Sequence, residues 1–386
     1  MSRFTLDSNA LRSNLALVRE WAPAGARVRA MVKANAYGHG LQELIVVFAE
    51  HAEELGVATL DEGLRIRSWL DRETPIYLVS GEKDWGNRQY LDSVREARIV
   101  PAISSVDELR LLVDRLGDDD PLPVELKFDT GMGRLGIQER ELPHVISLLR
   151  SSDTISVVGL MTHFASSDER DLASAQGQET RFRRMVSQLP DDLLRAASIH
   201  SCNSGALLHR GLGRTDIGEG TVVVRPGVML YGAGPSRYLH DSPAGDRLTP
   251  VGRWTTRVIE VRTLAPGDAV GYGGTWKVEG DRSAQVAVLA VGYADGYRRS
   301  LGNRGRVLIR GGSFPVIGRV SMDLVSVLVD DRIQVGDEAV LLGSQRGELG
   351  RDAIPAWEWA KLCGTIPYEI WTSIGPRVER VVATAH

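Results

Sequence analysis

A repeated rhythm constrains this chain more than any single residue does. From residue 28 onward, short apolar runs rich in Val and Ile alternate with stretches of helical period. Val28 to Lys33 reads as a buried strand, Gly56 to Thr59 precedes a helix over Glu62 to Leu70, and Ile76 to Val79 precedes one over Trp85 to Val94. Ile99 to Ile103 leads into Val106 to Leu116, and Val124 to Phe128 into Glu139 to Leu149. Ile155 to Met161 comes before a helix around Arg181 to Leu189, Ala197 to His200 before Gly205 to His209, and Thr221 to Val224 supplies an eighth strand. Alternation of this kind builds a parallel sheet with helices outside it, and eight units predict an α/β barrel of the TIM type. The competitor, an open doubly wound sheet, lacks its usual GxGxxG turn with a following acidic residue.

The rhythm does not cover the whole chain, whose 386 residues exceed what one core usually supports. Before it, Phe4 to Leu6 is a short strand candidate, and Asp7 can cap a helix carrying Leu11, Leu15, Val18 and Trp21. After it, Pro235 to Pro250 turns to Gly, Pro, Ser and Asp and reads as a linker. Beyond that, Thr255 to Thr263, Gln285 to Val291, Arg306 to Ile309, Phe314 to Ile317, Leu324 to Val329 and Glu338 to Leu342 are β-branched runs separated by Gly-Asp and Gly-Gly turns. Trp357 to Leu362 is the clear helix there, and Tyr368 to Val378 reads either way. The expected organisation is an α/β barrel over 1–240 and a mostly β domain over 241–386, with residues 1–8 a candidate to pair with the latter.

Composition excludes several classes of function. Hydrophobic residues at 43% and charged residues at 25% are ordinary for globular domains. A net charge of −4 without a basic stripe speaks against nucleic acid and anionic membrane as partners. Cys202 and Cys363 stand far apart without metal spacing, so neither a disulfide framework nor a metal site is expected. The stretch Met1 to Trp21 lacks signal-peptide features and no run reaches the length of a membrane span, so a cytoplasmic location is expected.

In a barrel, residues just after the strands converge on one face. Here they are Lys33 with Tyr37, Lys127 with Arg134, His163, Asn203 with Ser204, and Arg225 with Gly227. Cations, an imidazole, hydroxyls and glycine amides together suit an anion such as a phosphate. Each also has a plainer reading: a solvated Lys33, a hydrogen-bonded core histidine at 163, a helix cap at Asn203-Ser204, a surface Arg225. The run Lys127 to Gly136 has three glycines in six residues but no P-loop Lys-Ser/Thr, which argues against a nucleoside triphosphate.

The motifs VKANAYGHG (32–40), KFDTGMGRLG (127–136), THF (162–164), HSCNS (200–204), RPGVMLYG (225–232), GYGGTW (271–276), GYADGY (292–297) and GRVSMDL (318–324) resemble those of the alanine racemase family, in order and across almost the whole chain. The resemblance implies a pyridoxal 5'-phosphate enzyme of fold type III that interconverts L- and D-alanine and supplies D-alanine for peptidoglycan. It implies that Lys33 carries the cofactor covalently and acts as the base toward the D-enantiomer. Tyr272 is implied as the second base, toward the L-enantiomer, reaching the cofactor from the partner subunit of a homodimer with shared active sites. Two bases suit the chemistry, since inversion removes a proton from one face and returns one to the other. His163 is implied to assist the tyrosine.

By the same resemblance Arg225 contacts the pyridine nitrogen, and as an Arg it keeps its proton, so the ring is a weaker electron sink. Tyr37, Ser204, the amides of Gly227 and Val228, and Tyr368 hold the phosphate, with Asn203 in the cofactor site. Arg134 and the backbone around Met322 receive the substrate carboxylate. Lys127 matches a lysine that several members carry as a carbamate, and Tyr293, Arg299, Asp323 and Ile366 fall where the family places its entry channel and gate. Three positions depart from the pattern: Pro367 where Asn is common, Ser321 for Cys, and Glu379 for Pro. Alternatives are a racemase of serine or another small amino acid, a fold-type-III decarboxylase, and a pyridoxal-phosphate-carrying protein without catalysis. The racemase-like GYADGY, SMDL and Tyr272 blocks argue against the decarboxylase, and the β domain against the carrier.

Overall fold

The computed structural model describes residues 2–70, 73–81, 83–116, 120–192, 197–209, 212–213 and 220–383. They divide into two compact units, one comprising Leu11–Ala36 and Leu44–Thr249, the other Met1–Ala10, Tyr37–Glu43 and Pro250–His386. Along the chain, β1 (Arg3–Leu6) belongs to the second unit. The first unit carries β2 (Arg27–Met31), β3 (Glu54–Val57), β4 (Ile76–Leu78), β5 (Ile99–Ile103), β6 (Leu122–Lys127), β7 (Ile155–Met161), β8 (Ser198–His200) and β9 (Val223–Val224).

These eight strands form one parallel sheet in the order β8-β7-β6-β5-β4-β3-β2-β9. The Ile199 N–H donates to the Thr221 carbonyl at 3.1 Å, and a bridge joins Ile199 to Val222, so β8 comes back beside β9 and the expected α/β barrel is nearly closed. Val, Ile and Leu side chains between strands and helices form the apolar core, including Val94, Ile103, Leu109, Val124, Leu126, Phe128 and Phe182, all at most 1% exposed. The strand interior is less uniform. Arg29, Glu125 and His200 are fully buried on β2, β6 and β8.

Local chemistry explains where elements begin. The expected strand Gly56 to Thr59 lies earlier, at Glu54–Val57, because Thr59 is the N-cap of the helix Leu60–Trp69 and shares a reciprocal capping box with Glu62. The helix expected from Trp85 starts at Arg88, where the Asn87 side chain accepts from the N–H groups of Gln89 and Tyr90. The helix expected around Arg181 to Leu189 spans Ala173–Val186, its polar first turns burying Ala175 and Gln178 ahead of Phe182. Asp7 does cap the first helix, Ser8–Trp21, accepting from Asn9 and Ala10 at 2.9 and 3.0 Å. No helix among the described residues is long and apolar enough to cross a membrane.

The second unit is a nine-stranded sheet, antiparallel except where β1 runs parallel to Glu379–Val382. Its long strand Gly252–Leu264 pairs with β1, with Ala284–Leu289 and with Glu338–Gly347. Trp254, Tyr297 and Trp359 pack ring to ring in its core, with centroids 4.7 to 6.5 Å apart. The ambiguous Tyr368 to Val378 stretch contains the helix Pro367–Thr372. Pro367 occupies its first turn, where a backbone N–H has no intrahelical acceptor to lose, so this departure costs the helix nothing.

Candidate active site

Lys33 leaves the barrel one residue after Val32, whose N–H donates to the Gly56 carbonyl at 2.9 Å. Behind it the backbone does something that no glycine pattern announces. Ala34, Asn35, Ala36 and Tyr37 all take left-handed φ values of 53 to 54°. Each such L-residue costs about 1–2 kcal/mol, so the turn must be held from outside. The Ala36 N–H donates to Val32 O at 2.8 Å, and the Ala34 N–H to the Glu62 carboxylate at 2.6 Å. Burial and the nearby Arg134 hold the Lys33 amine below its usual proton affinity, with Glu62 opposing them. A lysine in that setting is readily deprotonated and can serve as nucleophile or base.

Lys127, at the end of β6, is buried and donates to the Val79 carbonyl at 3.2 Å. Burial, then Arg134, Arg225, Lys83 and Lys33, bring its amine down to about 8. Arg134 itself is exposed, at the end of the glycine-rich loop. That loop is shaped by Asp129, whose carboxylate accepts from the N–H groups of Gly131, Met132 and Gly133 at 2.9 to 3.1 Å. The left-handed φ of Gly131 and Gly133 makes this wrap possible. His163 is half-buried, and burial together with Arg225, Arg134, Lys127 and Lys33 keeps its imidazole neutral. These mutual influences place Lys33, Lys127, Arg134, His163 and Arg225 in one neighbourhood at the strand ends.

Arg225 is buried rather than the surface residue of its plainer reading, and it ends a chain of polar contacts through the barrel. Its Nη1 donates to Nδ1 of His200 at 2.5 Å, and its Nη2 to the Thr162 carbonyl at 2.6 Å. A guanidinium has no acceptor, so Nδ1 must carry the lone pair and Nε2 the proton. That proton faces Oε1 of Glu125 at 3.0 Å. Glu125 in turn takes both Nη groups of Arg29 at 2.7 Å, and Arg29 Nε reaches Glu54 at 2.7 Å. Burial alone would push the Glu125 carboxyl up, but Arg29 and His200 outweigh it and hold it ionised. Burial brings His200 down to about 4, so the imidazole between them is neutral, and it brings Arg225 down to about 10, still protonated at neutral pH. Gly159 lies directly opposite Glu125 in register, and a Cβ there would sit 2.5 Å from the carboxylate.

Ser204 Oγ accepts from the Gly227 N–H at 2.8 Å, while the Val228 N–H has no protein acceptor among the described residues. Asn203 does cap the helix Ser204–His209, accepting from Ala206 at 3.1 Å, and also accepts from Ser167 Oγ at 2.7 Å. The set fits a phosphorylated pyridine aldehyde. A lysine of lowered proton affinity, a seryl oxygen beside an unspent amide, and an Arg225 whose Nε has no protein acceptor among the described residues supply the necessary partners.

The second unit gathers the other candidates. Tyr37 is buried, which pushes its phenol up, and its ring lies 5.8 Å from that of Tyr368. Tyr272 sits on a short turn among Gly271, Gly273 and Gly274, all at left-handed φ, and is 70% exposed. Met322, Tyr293 and Ile366 are also exposed. The Met322 carbonyl accepts from Ala294 at 3.0 Å, while its own N–H has no acceptor among the described residues. Asp323 pairs with Arg377 at 2.8 Å, Arg377 also meets Asp295 at 3.3 Å, and Arg299 is exposed on a 3-10 turn. Glu379 pairs with Arg3 at 3.0 Å on the sheet edge.

Sequence reasoning missed Glu62, Asp129, His200, Glu125 and Arg29. A signal existed for the last three: charged residues or an imidazole inside otherwise apolar strands are costly unless partnered, so they must find one another. Which ones meet is not written locally, since Arg29 and Glu125 lie 96 residues apart.

The comparisons agree with the geometry. The family model for the alanine racemase N-terminal domain matches residues 6–235, and that for the C-terminal domain matches 251–382. The alanine racemase of Syntrophobacter fumaroxidans is 38% identical over 379 residues, covering 96% of this chain and 94% of that protein. The solved structure of alanine racemase from Streptomyces coelicolor superposes with a TM-score of 0.86 at 34% identity, over 100% of this chain and 98% of that one. The Bartonella henselae alanine racemase, solved with covalently bound pyridoxal phosphate, gives 0.83 at 26% identity over 99% of both chains. The chain therefore belongs to the alanine racemase family, pyridoxal-phosphate-dependent isomerases that interconvert L- and D-alanine.

Proposed function

We propose that this chain racemises alanine by passing protons between two bases, Lys33 and Tyr272, on opposite faces of the substrate α-carbon, and that D-alanine so made serves peptidoglycan. The observation that carries the barrel half is the Lys33 amine, held below its usual proton affinity by burial and by Arg134. Pyridoxal 5'-phosphate, when bound, supplies the electron sink that makes the α-proton acidic. Lys33 holds it and, once released, takes or returns the proton on the D-side. Ser204, Gly227, Val228, Tyr37 and Tyr368 hold its phosphate, with Asn203 bracing the loop. Arg225 donates to the ring nitrogen without giving up its proton. Its direct partner, His200, is lowered to about 4, well below the guanidinium, and so does not draw that proton away.

Arg134 and the Met322 N–H receive the substrate carboxylate, and Lys127 backs Arg134, as a carbamate if carbon dioxide adds to its amine. His163 assists Tyr272 in giving up its proton, while Tyr293, Arg299, Asp323 and Ile366 line the approach. Tyr272 is contributed by a second copy of the chain in a cytoplasmic homodimer; the exposure of Tyr272, Met322, Tyr293 and Ile366 supports this reading, because it leaves these side chains accessible to another copy. Incubation with L-alanine and pyridoxal 5'-phosphate, followed by chiral analysis, should end at equal amounts of both enantiomers. Faster turnover of serine, or release of carbon dioxide, would overturn the assignment.

A further inference from the structure

Glu62 sits at the third position of the helix Leu60–Trp69, where a carboxylate ordinarily caps its own helix. One oxygen meets that need: Oε2 accepts from Ala58 and Thr59 at 2.8 and 3.4 Å. The other points elsewhere. Oε1 accepts from the Ala34 N–H at 2.6 Å, the first amide of the left-handed turn and the peptide that directly follows Lys33. A single half-buried carboxylate thus ties the loop after β3 to the turn after β2.

We propose that Glu62 is a positioning residue for Lys33: it grips the peptide after the lysine, keeps the left-handed turn wound, and so fixes the direction in which the amine leaves the backbone. The proposal rests on the reading of Lys33 as cofactor anchor and base. Such a lysine alternates between a tethered and a free side chain, and only a backbone fixed from outside returns the amine to the same place each time. Without its acceptor, the Ala34 amide loses the side-chain contact that, beside the Ala36 N–H to Val32 O bond, holds the turn in a conformation that Ala, Asn and Tyr side chains disfavour. Glu62 also supplies the negative charge among the groups that act on Lys33. The other charged group that acts on it is Arg134 from the glycine-rich loop, which opposes Glu62.

Three variants separate positioning from helix capping. Thr59→Ala removes the other half of the capping box and leaves the Ala34 contact in place. Glu62→Gln keeps an acceptor but removes the charge, and Glu62→Ala removes both. In the holoenzyme, Glu62→Ala should slow exchange of the D-alanine α-proton with deuterated solvent by about tenfold or more, while L-alanine exchange falls less. Thr59→Ala should leave that ratio unchanged at comparable thermal stability, and Glu62→Gln should restore most of the D-side rate. In the cofactor-free protein, the pH at which Lys33 becomes open to acylation, read by peptide mass spectrometry, should move down in Glu62→Gln. Equal D- and L-side behaviour of Glu62→Ala and Thr59→Ala, with an unmoved Lys33 labelling profile, would overturn the proposal. The labelling reads the coupling of Glu62 to Lys33 even in a chain without racemase activity, so failure here is distinct from failure of the proposed function.

Discussion

Arg225 is 4% exposed with both of its Nη groups committed to the protein, whereas Tyr272 is 70% exposed on a turn of glycines. The same contrast separates the two units throughout. In the barrel, Lys127 and Arg225 are held by neighbours up to 63 residues away, and Arg225 ends a buried chain of alternating partners that reaches back through His200 and Glu125 to Arg29. In the β unit, Tyr272, Tyr293, Met322 and Ile366 are presented outward. One region tunes its groups by burial and fixed charge. The other presents its groups at its surface. Burial and fixed charge within the barrel therefore set its candidate groups, while those of the β unit lie at its surface, where the proposed second copy would meet them.

That contrast can be broken most sharply at Tyr272. Tyr272→Phe should lower racemisation by about 10²- to 10⁴-fold. Because L- and D-alanine have equal free energies, the loss must appear in both directions. Exchange of the D-alanine α-proton should nevertheless persist through Lys33, and the melting temperature should stay put, as expected for an exposed side chain. Loss of exchange into both enantiomers, or a large drop in stability, would put Tyr272 in a different role.

The barrel should respond in the opposite way. Glu125→Ala leaves Arg29 buried without its two-pronged partner and should cost about 3–5 kcal/mol in denaturant unfolding. Met322→Ala, on the exposed face, should stay within about 0.5 kcal/mol. Similar costs for the two would erase the distinction.

Acid should find the same weak point. Folded His200 stays neutral down to about pH 4, whereas the unfolded chain binds that proton near 6.5. Between those values the unfolded state holds more protons, so stability must fall as pH falls through the window. Glu125 adds to this below its unfolded value of 4.5, since its folded carboxyl is held ionised. The measurement is the unfolding midpoint against pH, and His200→Asn should flatten the slope between pH 6.5 and 4. An unchanged slope would mean that another group carries the acid sensitivity.

The smallest effect concerns the turn behind Lys33. Ala34→Gly removes a strained side chain at φ 53° and adds chain entropy to the unfolded state, for a net gain of about 0.5–1 kcal/mol. A loss of stability would show that the turn is less strained than its backbone angles imply.

The barrel was legible because its strands are apolar and β-branched and its helices follow at regular intervals, and the β unit because its runs are punctuated by glycine turns. Boundaries were less so. Thr59 belongs to a helix cap although its β-branched side chain reads as strand, and the polar start of Ala173–Val186 hides a helix that buries only part of one face. At the candidate site, the motifs pointed to Lys33, Arg134 and Arg225, but not to what holds them. The left-handed turn carries no glycine among residues 34–37, so its sequence reads like an ordinary helix start. Glu62, Asp129 and the Arg29–Glu125–His200 contacts act through partners that only tertiary folding brings together.

The claim that each site joins one chain's barrel to another chain's Tyr272 is open to direct test by complementation. Lys33→Ala and Tyr272→Phe proteins, each inactive alone, are mixed in equal amounts under conditions that let subunits exchange. Half of the resulting dimers are mixed and each carries one intact site, so about a quarter of the unmodified activity should return. No recovery at any mixing ratio, with subunit exchange confirmed, would contradict a shared site and place both bases on one chain.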